Sequence, residues 1–311
     1  MKTLGRILIA AIASTVGVPA TLGAQAPVEK SGQTFRSSAD LVSIQTSVRD
    51  KRGRPMTGLT PKDFEVRDNG ELRPVLSLRA DRRSPVSIAV LVDTSGSMRV
   101  GSKMSMARQA LDTLLRQLRD GEDEIALFTF DTALHERQSF TTRLADLSDE
   151  LDEFGSFGAT SLYDATAATA RKLASRSAGH KAIIILTDGI DTSSTLTAPE
   201  VSGLASSIDV PVYIVATVPP LDQAAMTVDD DSSRPSASAD LRHLAEWTGG
   251  RLAFASTPLD TIVVTASVLD ELRQQYVLAI QAAAVAEWRR LEVKVKHPAA
   301  TVKARSGYFG G

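Results

Sequence analysis

A short polar loop after residue 92 carries side chains that could bind a cation. Asp93, Ser95 and Ser97 stand at alternate positions of the segment DTSGS, directly after the apolar run VSIAVLV. One carboxylate cannot hold a hard cation alone, and the sequence places no histidine nearby that could activate a serine as a nucleophile. The loop therefore needs ligands from elsewhere in the chain if it is to do chemistry.

Two later segments offer such ligands. Asp188 follows the apolar run KAIIILT, and Thr160 lies in the segment GSFGATSLYDA, just before a predicted helix. Ligands of an open α/β sheet gather at the carboxyl ends of its strands, near a switch in strand order. We therefore expect a second carboxylate and a further hydroxyl to converge on the first loop. Asp131 and Asp191 also lie near predicted strand ends, and we expect both to be structural.

The combined set contains oxygen ligands only. Mg²⁺ prefers near-octahedral oxygen coordination and readily keeps waters, whereas softer ligands favour zinc and copper. The expected ion is therefore Mg²⁺; Mn²⁺ would fit the same site, and Ca²⁺ would fit a small rigid site less well. The D-x-S-x-S pattern alone is a weak signal, because an aspartate and serines in a turn are ordinary capping residues. Its combination with Thr160 and Asp188 predicts the metal site.

Apolar runs and amphipathic helices alternate through the middle of the chain. The predicted strands are residues 86–92, 124–130, 181–187, 211–218 and 251–256. The predicted helices are residues 103–119, 161–175, 198–208, 239–248 and 258–275. Several strands are apolar at every position, as strands buried on both faces of a parallel sheet are. The pattern predicts an α/β domain over residues 84–275, built on a doubly wound, mostly parallel sheet.

The flanks of this domain follow a different pattern. Residues 41–49 and the segment RRLEVKVKH (289–297) alternate apolar and polar side chains, which predicts antiparallel strands with one face in water. The N-terminal flank, residues 37–82, and the C-terminal flank, residues 276–309, are each too short to bury a core alone. We predict that together they form one small β-sandwich; two separate decorations of the α/β domain are the alternative.

Residues 1–26 have the pattern of a secretory signal peptide. Lys2 and Arg6 precede a short apolar stretch, and the small-residue segment AQA (24–26) matches a cleavage signal. The chain has no cysteine, which excludes disulfides and favours a bacterial envelope or secreted protein over a eukaryotic ectodomain. We therefore predict an exported protein, periplasmic or extracellular, with no transmembrane segment after signal cleavage.

Composition and motifs argue against several function classes. A formal net charge of −2 offers no basic face for the phosphates of a nucleic acid. The four histidines are scattered, and the sequence contains no G-x-S-x-G, H-E-x-x-H or phosphate-binding glycine motif. We therefore expect a binding protein rather than an enzyme, with metal-dependent hydrolysis left open as a weak alternative.

The candidate ligands together resemble the von Willebrand factor A (VWFA) domain and its metal-ion-dependent adhesion site, or MIDAS. The D-x-S-x-S motif of that family falls on Asp93, Ser95 and Ser97. Its later threonine matches Thr160, and its second aspartate matches Asp188. The resemblance implies a Rossmann-like fold in which the serines and the threonine coordinate Mg²⁺ directly, while the aspartates act mostly through water.

The resemblance spans about residues 86–275, and the flanks look like those of a bacterial, acidobacterial-type subset of exported VWFA proteins. In this family the metal commonly keeps a position open for a carboxylate of a protein ligand. The resemblance therefore implies an exported protein that uses Mg²⁺ to bind an acidic protein ligand, in cell adhesion or in assembly. The alternative is a structural interaction protein whose metal site only stabilises it.

Overall fold

The computed structural model describes residues 41–80, 82–147, 158–177, 179–189, 191–218 and 237–310, and these residues form three sheets and five α-helices. The strands are β1 (Leu41–Arg49), β2 (Phe64–Asp68), β3 (Glu71–Arg73), β4 (Ser77–Ala80), β5 (Val86–Asp93), β6 (Glu124–Phe130), β7 (Leu134–Thr141), β8 (His180–Thr187), β9 (Val212–Thr217), β10 (Arg251–Ala255), β11 (Tyr276–Gln281), β12 (Trp288–Val295), β13 (Thr301–Ala304) and β14 (Gly307–Phe309). The helices are α1 (Lys103–Gln117), α2 (Leu162–Ala174), α3 (Ala198–Ser207), α4 (Ala237–Trp247) and α5 (Pro258–Arg273). The predicted signal peptide, residues 1–26, lies outside the described residues.

The central sheet has six strands in the order β10-β9-β8-β5-β6-β7. All neighbours are parallel except β7, which runs antiparallel to β6 at the edge. Every residue of β5 is buried, as expected of a central strand that is covered on both faces. The strand order switches direction at β5, because the chain continues to β6 on one side of it and returns to β8 on the other. The predicted doubly wound, mostly parallel sheet is confirmed.

Helices cover both faces of this sheet and bury their apolar sides on it. Leu111 of α1 and Leu272 of α5 belong to the core on one face. Leu173 of α2, Val201 of α3 and Leu244 of α4 belong to the core on the other face. Of the described helices, two therefore lie on one side and three on the other, which leaves the ends of the strands free to form a site.

The two flanks form two four-stranded antiparallel sheets, β13-β1-β11-β4 and β14-β12-β2-β3. Each sheet pairs strands from both flanks: Ile44 of β1 lies opposite Leu278 of β11, and Val66 of β2 lies opposite Val293 of β12. Ile44, Val66, Leu278 and Tyr308 share one core, so the two sheets face each other. The predicted β-sandwich of both flanks is confirmed, whereas the domain limits 37–82, 84–275 and 276–309 stay predictions.

The expectation that one face of β1 lies in water holds for Leu41 and Ser43, which are exposed, and is wrong for the second half of the strand. Val42, Ile44 and Val48 point into the sandwich core as predicted. Gln45 and Ser47, on the opposite face, are also buried. The reason is that this face lies against the α/β domain, where Gln45 Nε2 donates a hydrogen bond to the backbone oxygen of Asp209 at 3.2 Å.

Among the helices that the structure describes, none is long and apolar enough to span a lipid bilayer.

Candidate metal centre

Asp93 is the last residue of β5, and its side chain is fully buried. Its Oδ1 accepts a hydrogen bond from the backbone N–H of Ser95 at 2.8 Å, and its Oδ2 accepts one from Oγ1 of Thr187 at 2.6 Å. The register explains the second contact, because Val92 pairs with Leu186 and the next residues of β5 and β8 are therefore neighbours. The carboxylate is thus held in one orientation by its own loop and by the adjacent strand.

The charge of Asp93 is only partly compensated by these contacts. Burial raises the pKa of its carboxyl above the ordinary value, although hydrogen bonds from Thr187 and Ser95 oppose the rise. The nearby negative charge of Asp188 raises the pKa of Asp93 further. Two carboxylates that repel each other in a buried position favour a cation between or beside them.

Ser95 and Ser97 present their hydroxyls to each other. The 3₁₀ turn Gly96–Arg99 brings the two Oγ atoms to 3.0 Å, and Met98 anchors this turn in the core. Ser95 is buried and Ser97 is exposed. The pair therefore offers two adjacent oxygen ligands, one of them open to solvent.

Thr160 is buried in a loop that is tied to both other parts of the site. The backbone N–H of Gly96 donates to the backbone oxygen of Gly158 at 3.1 Å, which links the DTSGS loop to the Thr160 loop. Thr160 O accepts hydrogen bonds from the backbone N–H groups of Thr192 and Ser193 at 2.9 and 3.0 Å, which links it to the loop after β8. Since Thr187 already joins β8 to Asp93, all three loops are bonded to one another.

Asp188 is buried, and its two carboxylate oxygens have different surroundings. Oδ2 accepts a hydrogen bond from the Lys103 ammonium at 2.9 Å. Oδ1 is buried without a hydrogen-bond partner. A buried carboxylate oxygen with no donor is costly, so this atom is available for a ligand.

Residues 88–190 match the family model described as the von Willebrand factor type A domain. This range includes all five candidate ligands and the switch point of the central sheet. The chain contains a von Willebrand factor type A domain.

The chain is also similar to a curated mouse protein. The calcium-activated chloride channel regulator 3A-1 of Mus musculus is 26% identical over 198 residues, which is 61% of this chain and 19% of the mouse protein. The chain thus matches about a fifth of the length of that relative.

Solved structures align with this chain at low sequence identity. A von Willebrand factor type A structure from Catenulispora acidiphila aligns with a TM-score of 0.50 and 14% identity, over 89% of this chain and 65% of that one. An aerotolerance-related membrane protein from Bacteroides fragilis aligns with a TM-score of 0.47 and 15% identity, over 60% of this chain and 98% of that one. At 14% identity, the similarity to the Catenulispora acidiphila structure shows the fold alone.

The VWFA site fits Mg²⁺ by its donor set. It combines hydroxyls, two buried carboxylates and one carboxylate oxygen without a partner, all of them hard oxygen ligands. Within the described residues, no group of three or more histidine, cysteine or acidic side chains gathers as a metal cluster. With only two carboxylates, this site would need the hydroxyls of Ser95, Ser97 and Thr160 as its remaining metal ligands. Metal binding by these five residues stays a prediction.

The carboxylates of Asp131 and Asp191 accept hydrogen bonds from neighbouring loop residues. Asp191 accepts hydrogen bonds from the backbone N–H and Oγ of Ser194 and from the backbone N–H of Tyr163. Asp131 accepts one from the backbone N–H of Ala133 at 3.0 Å. Both carboxylates therefore hold loops that frame the VWFA site.

Lys103 and Thr187 were not identified from the sequence, although both contact the candidate ligands. Lys103 is the first residue of α1. A cation is unfavourable at a helix N-terminus because of the helix dipole, so a lysine there suggests a nearby carboxylate. Thr187 precedes Asp188 directly, and nothing in its own segment indicates that it binds Asp93.

Proposed function

We propose that this VWFA domain binds Mg²⁺ through Asp93, Ser95, Ser97, Thr160 and Asp188 and uses it to bind a carboxylate of a protein ligand. The proposal rests on one observation above all. Oδ1 of Asp188, which has no hydrogen-bond partner, lies at the carboxyl ends of the central strands β5 and β8, where the buried Asp93 carboxylate and the paired hydroxyls of Ser95 and Ser97 also lie. The Lys103 ammonium compensates only one of the two buried carboxylates, so a cation at this site would balance the remaining negative charge.

The exposure of the ligands supports an external partner. Asp93, Ser95, Thr160 and Asp188 are buried, whereas Ser97 is exposed. A ligand would therefore approach from the side of Ser97. When bound, Mg²⁺ would supply a Lewis-acidic position for an incoming carboxylate oxygen. The charged side chains at the site, Asp93, Asp188 and Lys103, sum to −1 when both carboxylates are ionised, so a bound Mg²⁺ would leave a net charge of +1 that attracts an acidic ligand.

The role that we propose is binding, not catalysis. We also propose that the protein acts after export, in the periplasm or outside the cell, because residues 1–26 match a secretory signal. Adhesion or assembly would suit an acidic protein ligand at this location.

Mn²⁺ is a suitable probe for the site, because it has the same ligand preference and can be followed by electron paramagnetic resonance. Titration should give one saturable Mn²⁺ site that Mg²⁺ displaces. Ser97→Ala and Asp188→Asn should weaken it by about tenfold or more, as expected when a ligand is lost. Ser105→Ala removes the same hydroxyl at an exposed position of α1 and should leave Mn²⁺ affinity unchanged.

The carboxylate preference needs a second measurement. Two peptides with blocked termini would be compared, one with a single glutamate and one with glutamine in its place. Relaxation of peptide protons by bound Mn²⁺ should appear for the glutamate peptide only, and chelator should abolish it. A site that binds Mn²⁺ and raises the thermal midpoint, yet relaxes both peptides equally, would support the alternative of a purely stabilising metal.

A further inference from the structure

A second polar cavity lies where the β-sandwich meets the α/β domain, and the metal proposal does not involve it. Its volume is about 420 Å³. On the sandwich side it is lined by residues of β1 and β13, among them Arg49 and Lys303. On the other side it is lined by Arg251 of β10 and by Ser267 and Glu271 of α5. Side chains from distant parts of the chain thus line one cavity.

Glu271 is the buried acceptor that these cations share. The Lys303 ammonium contacts both of its carboxylate oxygens, at 3.0 and 3.1 Å. Nε of Arg251 lies 3.3 Å from Oε2, and Nε of Arg49 lies 3.8 Å from the same oxygen. One carboxylate with 3% exposure therefore faces three positive side chains. A structural ion pair would need only one of them.

The charge balance around the cavity is positive. Counting the lining residues and the residues paired with them, the cationic side chains are Arg49, Lys51, Arg54, Arg251 and Lys303. The anionic side chains are Asp50, Asp270 and Glu271. Among the residues that the structure describes, five positive and three negative charges leave an excess of two.

The hydrogen bonding of the arginines is also incomplete. The Nε–H groups of Arg49 and Arg251 are buried without a hydrogen-bond acceptor of suitable geometry. Burial lowers the pKa of the Lys303 ammonium, and repulsion from Arg251 and Arg49 contributes to this even though Glu271 opposes it. Asp270 pairs with Arg49 and Asp50 pairs with Arg54, but these carboxylates and Glu271 together leave part of the positive charge unbalanced.

We propose that this cavity binds an oxyanion of the phosphate class, either inorganic phosphate or a phosphomonoester. A doubly charged anion matches the excess of two positive charges. Guanidinium groups and an ammonium are the side chains that recognise phosphate oxygens best, by charge-assisted hydrogen bonds. The volume exceeds the roughly 30 Å³ share of a water molecule many times, so the cavity has room for a polyatomic anion with waters. A bound anion would join β1 and β13 to α5.

Phosphate binding can be measured by calorimetry on the full chain in chelator, which keeps the metal site out of the experiment. Inorganic phosphate, glycerol phosphate and acetate would be compared at constant ionic strength. We expect saturable binding of the two phosphates in the millimolar range or tighter and no comparable heat from acetate. Tighter binding of glycerol phosphate would identify a phosphomonoester as the preferred form. An equal response to acetate and phosphate would overturn the proposal.

Charge variants make the test specific. Lys303→Met should weaken phosphate binding by about tenfold or more, because a charge-assisted hydrogen bond is lost. Glu271→Gln should strengthen it, because the competing carboxylate is removed while its shape is kept. Lys51 lines the cavity at an exposed position, so Lys51→Met should weaken phosphate binding to a smaller extent. This variant replaces Lys303→Met in the test if Lys303→Met does not fold. Lys294→Met is the matched control on the far strand β12 and should change nothing.

These variants also separate the two proposals. If the five clustered cations only hold the fold together, Lys303→Met and Glu271→Gln would both lower the thermal midpoint, and neither would alter phosphate binding. That result would refute the anion site. The Ser97→Ala variant should bind phosphate like the wild type, so failure of the metal proposal leaves this measurement intact.

Discussion

Removal of the Lys103 ammonium should raise the affinity of the VWFA site for Mg²⁺. Lys103 donates to Oδ2 of Asp188 at 2.9 Å and lies 3.5 Å from the backbone oxygen of Ser97. It therefore places a positive charge where the metal is proposed to bind. A metal ion must displace this ammonium or bind beside it, and both cost free energy. Lys103→Met keeps the length of the side chain and removes only the charge and its hydrogen bonds.

The size of the effect follows from the geometry of this pair. Coulomb's law for unit charges 2.9 Å apart gives about 6 kcal/mol at an effective dielectric constant of about 20. The side chains of Lys103 and Asp188 are 15% and 3% exposed, so desolvation cancels much of this attraction. Hydrogen bonds to charged groups contribute about 1.5 to 3 kcal/mol net. The dissociation constant for Mg²⁺ should therefore fall by about 10- to 150-fold.

Calorimetric titration of Mg²⁺ into wild type and Lys103→Met tests this value. Lys103→Arg keeps the charge and should bind Mg²⁺ with nearly the wild-type affinity. Lys294→Met removes an equal charge from a side chain that is 68% exposed, and it should have no effect. In chelator, Lys103→Met should also unfold at a lower temperature, because Asp188 loses its partner. If wild type and Lys103→Met bind Mg²⁺ equally, the ammonium does not compete with the metal and the reasoning fails.

Two further predictions concern stability. Burial alone would raise the pKa of Asp123, but hydrogen bonds, first those from Arg119, outweigh it and lower that pKa. The stabilisation is therefore complete above the unfolded carboxyl pKa and is lost as pH falls through the lowered folded value. Asp123→Asn should cost about 3 kcal/mol at pH 7, and the difference from wild type in urea unfolding should shrink below about pH 4. A Cβ on Gly250 would lie 2.0 Å from the backbone oxygen of Val212, so Gly250→Ala should lower the free energy of unfolding by at least about 2 kcal/mol. Gly203 lies in open space on α3, so Gly203→Ala should raise the free energy of unfolding by about 0.5 to 1 kcal/mol. Equal thermal midpoints for these two variants would contradict this prediction.

Most of the fold follows from local patterns in the sequence. The predicted helix 198–208 is observed as Ala198–Ser207, and the predicted strand 41–49 is observed as Leu41–Arg49. These elements are predictable because burial imposes a period on their apolar residues. The strand β7 shows the limit of this reasoning. It lies at the edge of the sheet with most of its residues exposed or half-buried, so its sequence LHERQSFT carries no periodic signal.

The candidate site was predictable only in part. Asp93 and Asp188 follow recognisable strands, and the rule that ligands gather at strand ends brings them together. The hydrogen bond from Thr187 to Asp93 joins residues 94 positions apart, and the ion pair from Lys103 to Asp188 joins residues 85 positions apart. Such contacts depend on strand register and on the direction of a helix start. The lysine at the start of α1 suggests a carboxylate partner, but nothing in the local sequence identifies that partner as Asp188.

One electrostatic rule connects the two proposed sites. When both carboxylates of the VWFA site are ionised, Asp93, Asp188 and Lys103 sum to −1, whereas the cluster around Glu271 sums to +2. Unbalanced charge away from water is costly, and although Lys51 and Arg54 are exposed, Arg49, Arg251 and Lys303 are partly buried, so the first site favours a cation and the second an anion. The sites share no residue, and ligands that bind independent sites of the folded state stabilise it additively. Mg²⁺ and sulfate, an oxyanion of the same charge that does not precipitate the metal, should therefore raise the free energy of unfolding by the sum of their separate effects. A joint effect well below that sum would mean that one ligand changes the arrangement that the other needs.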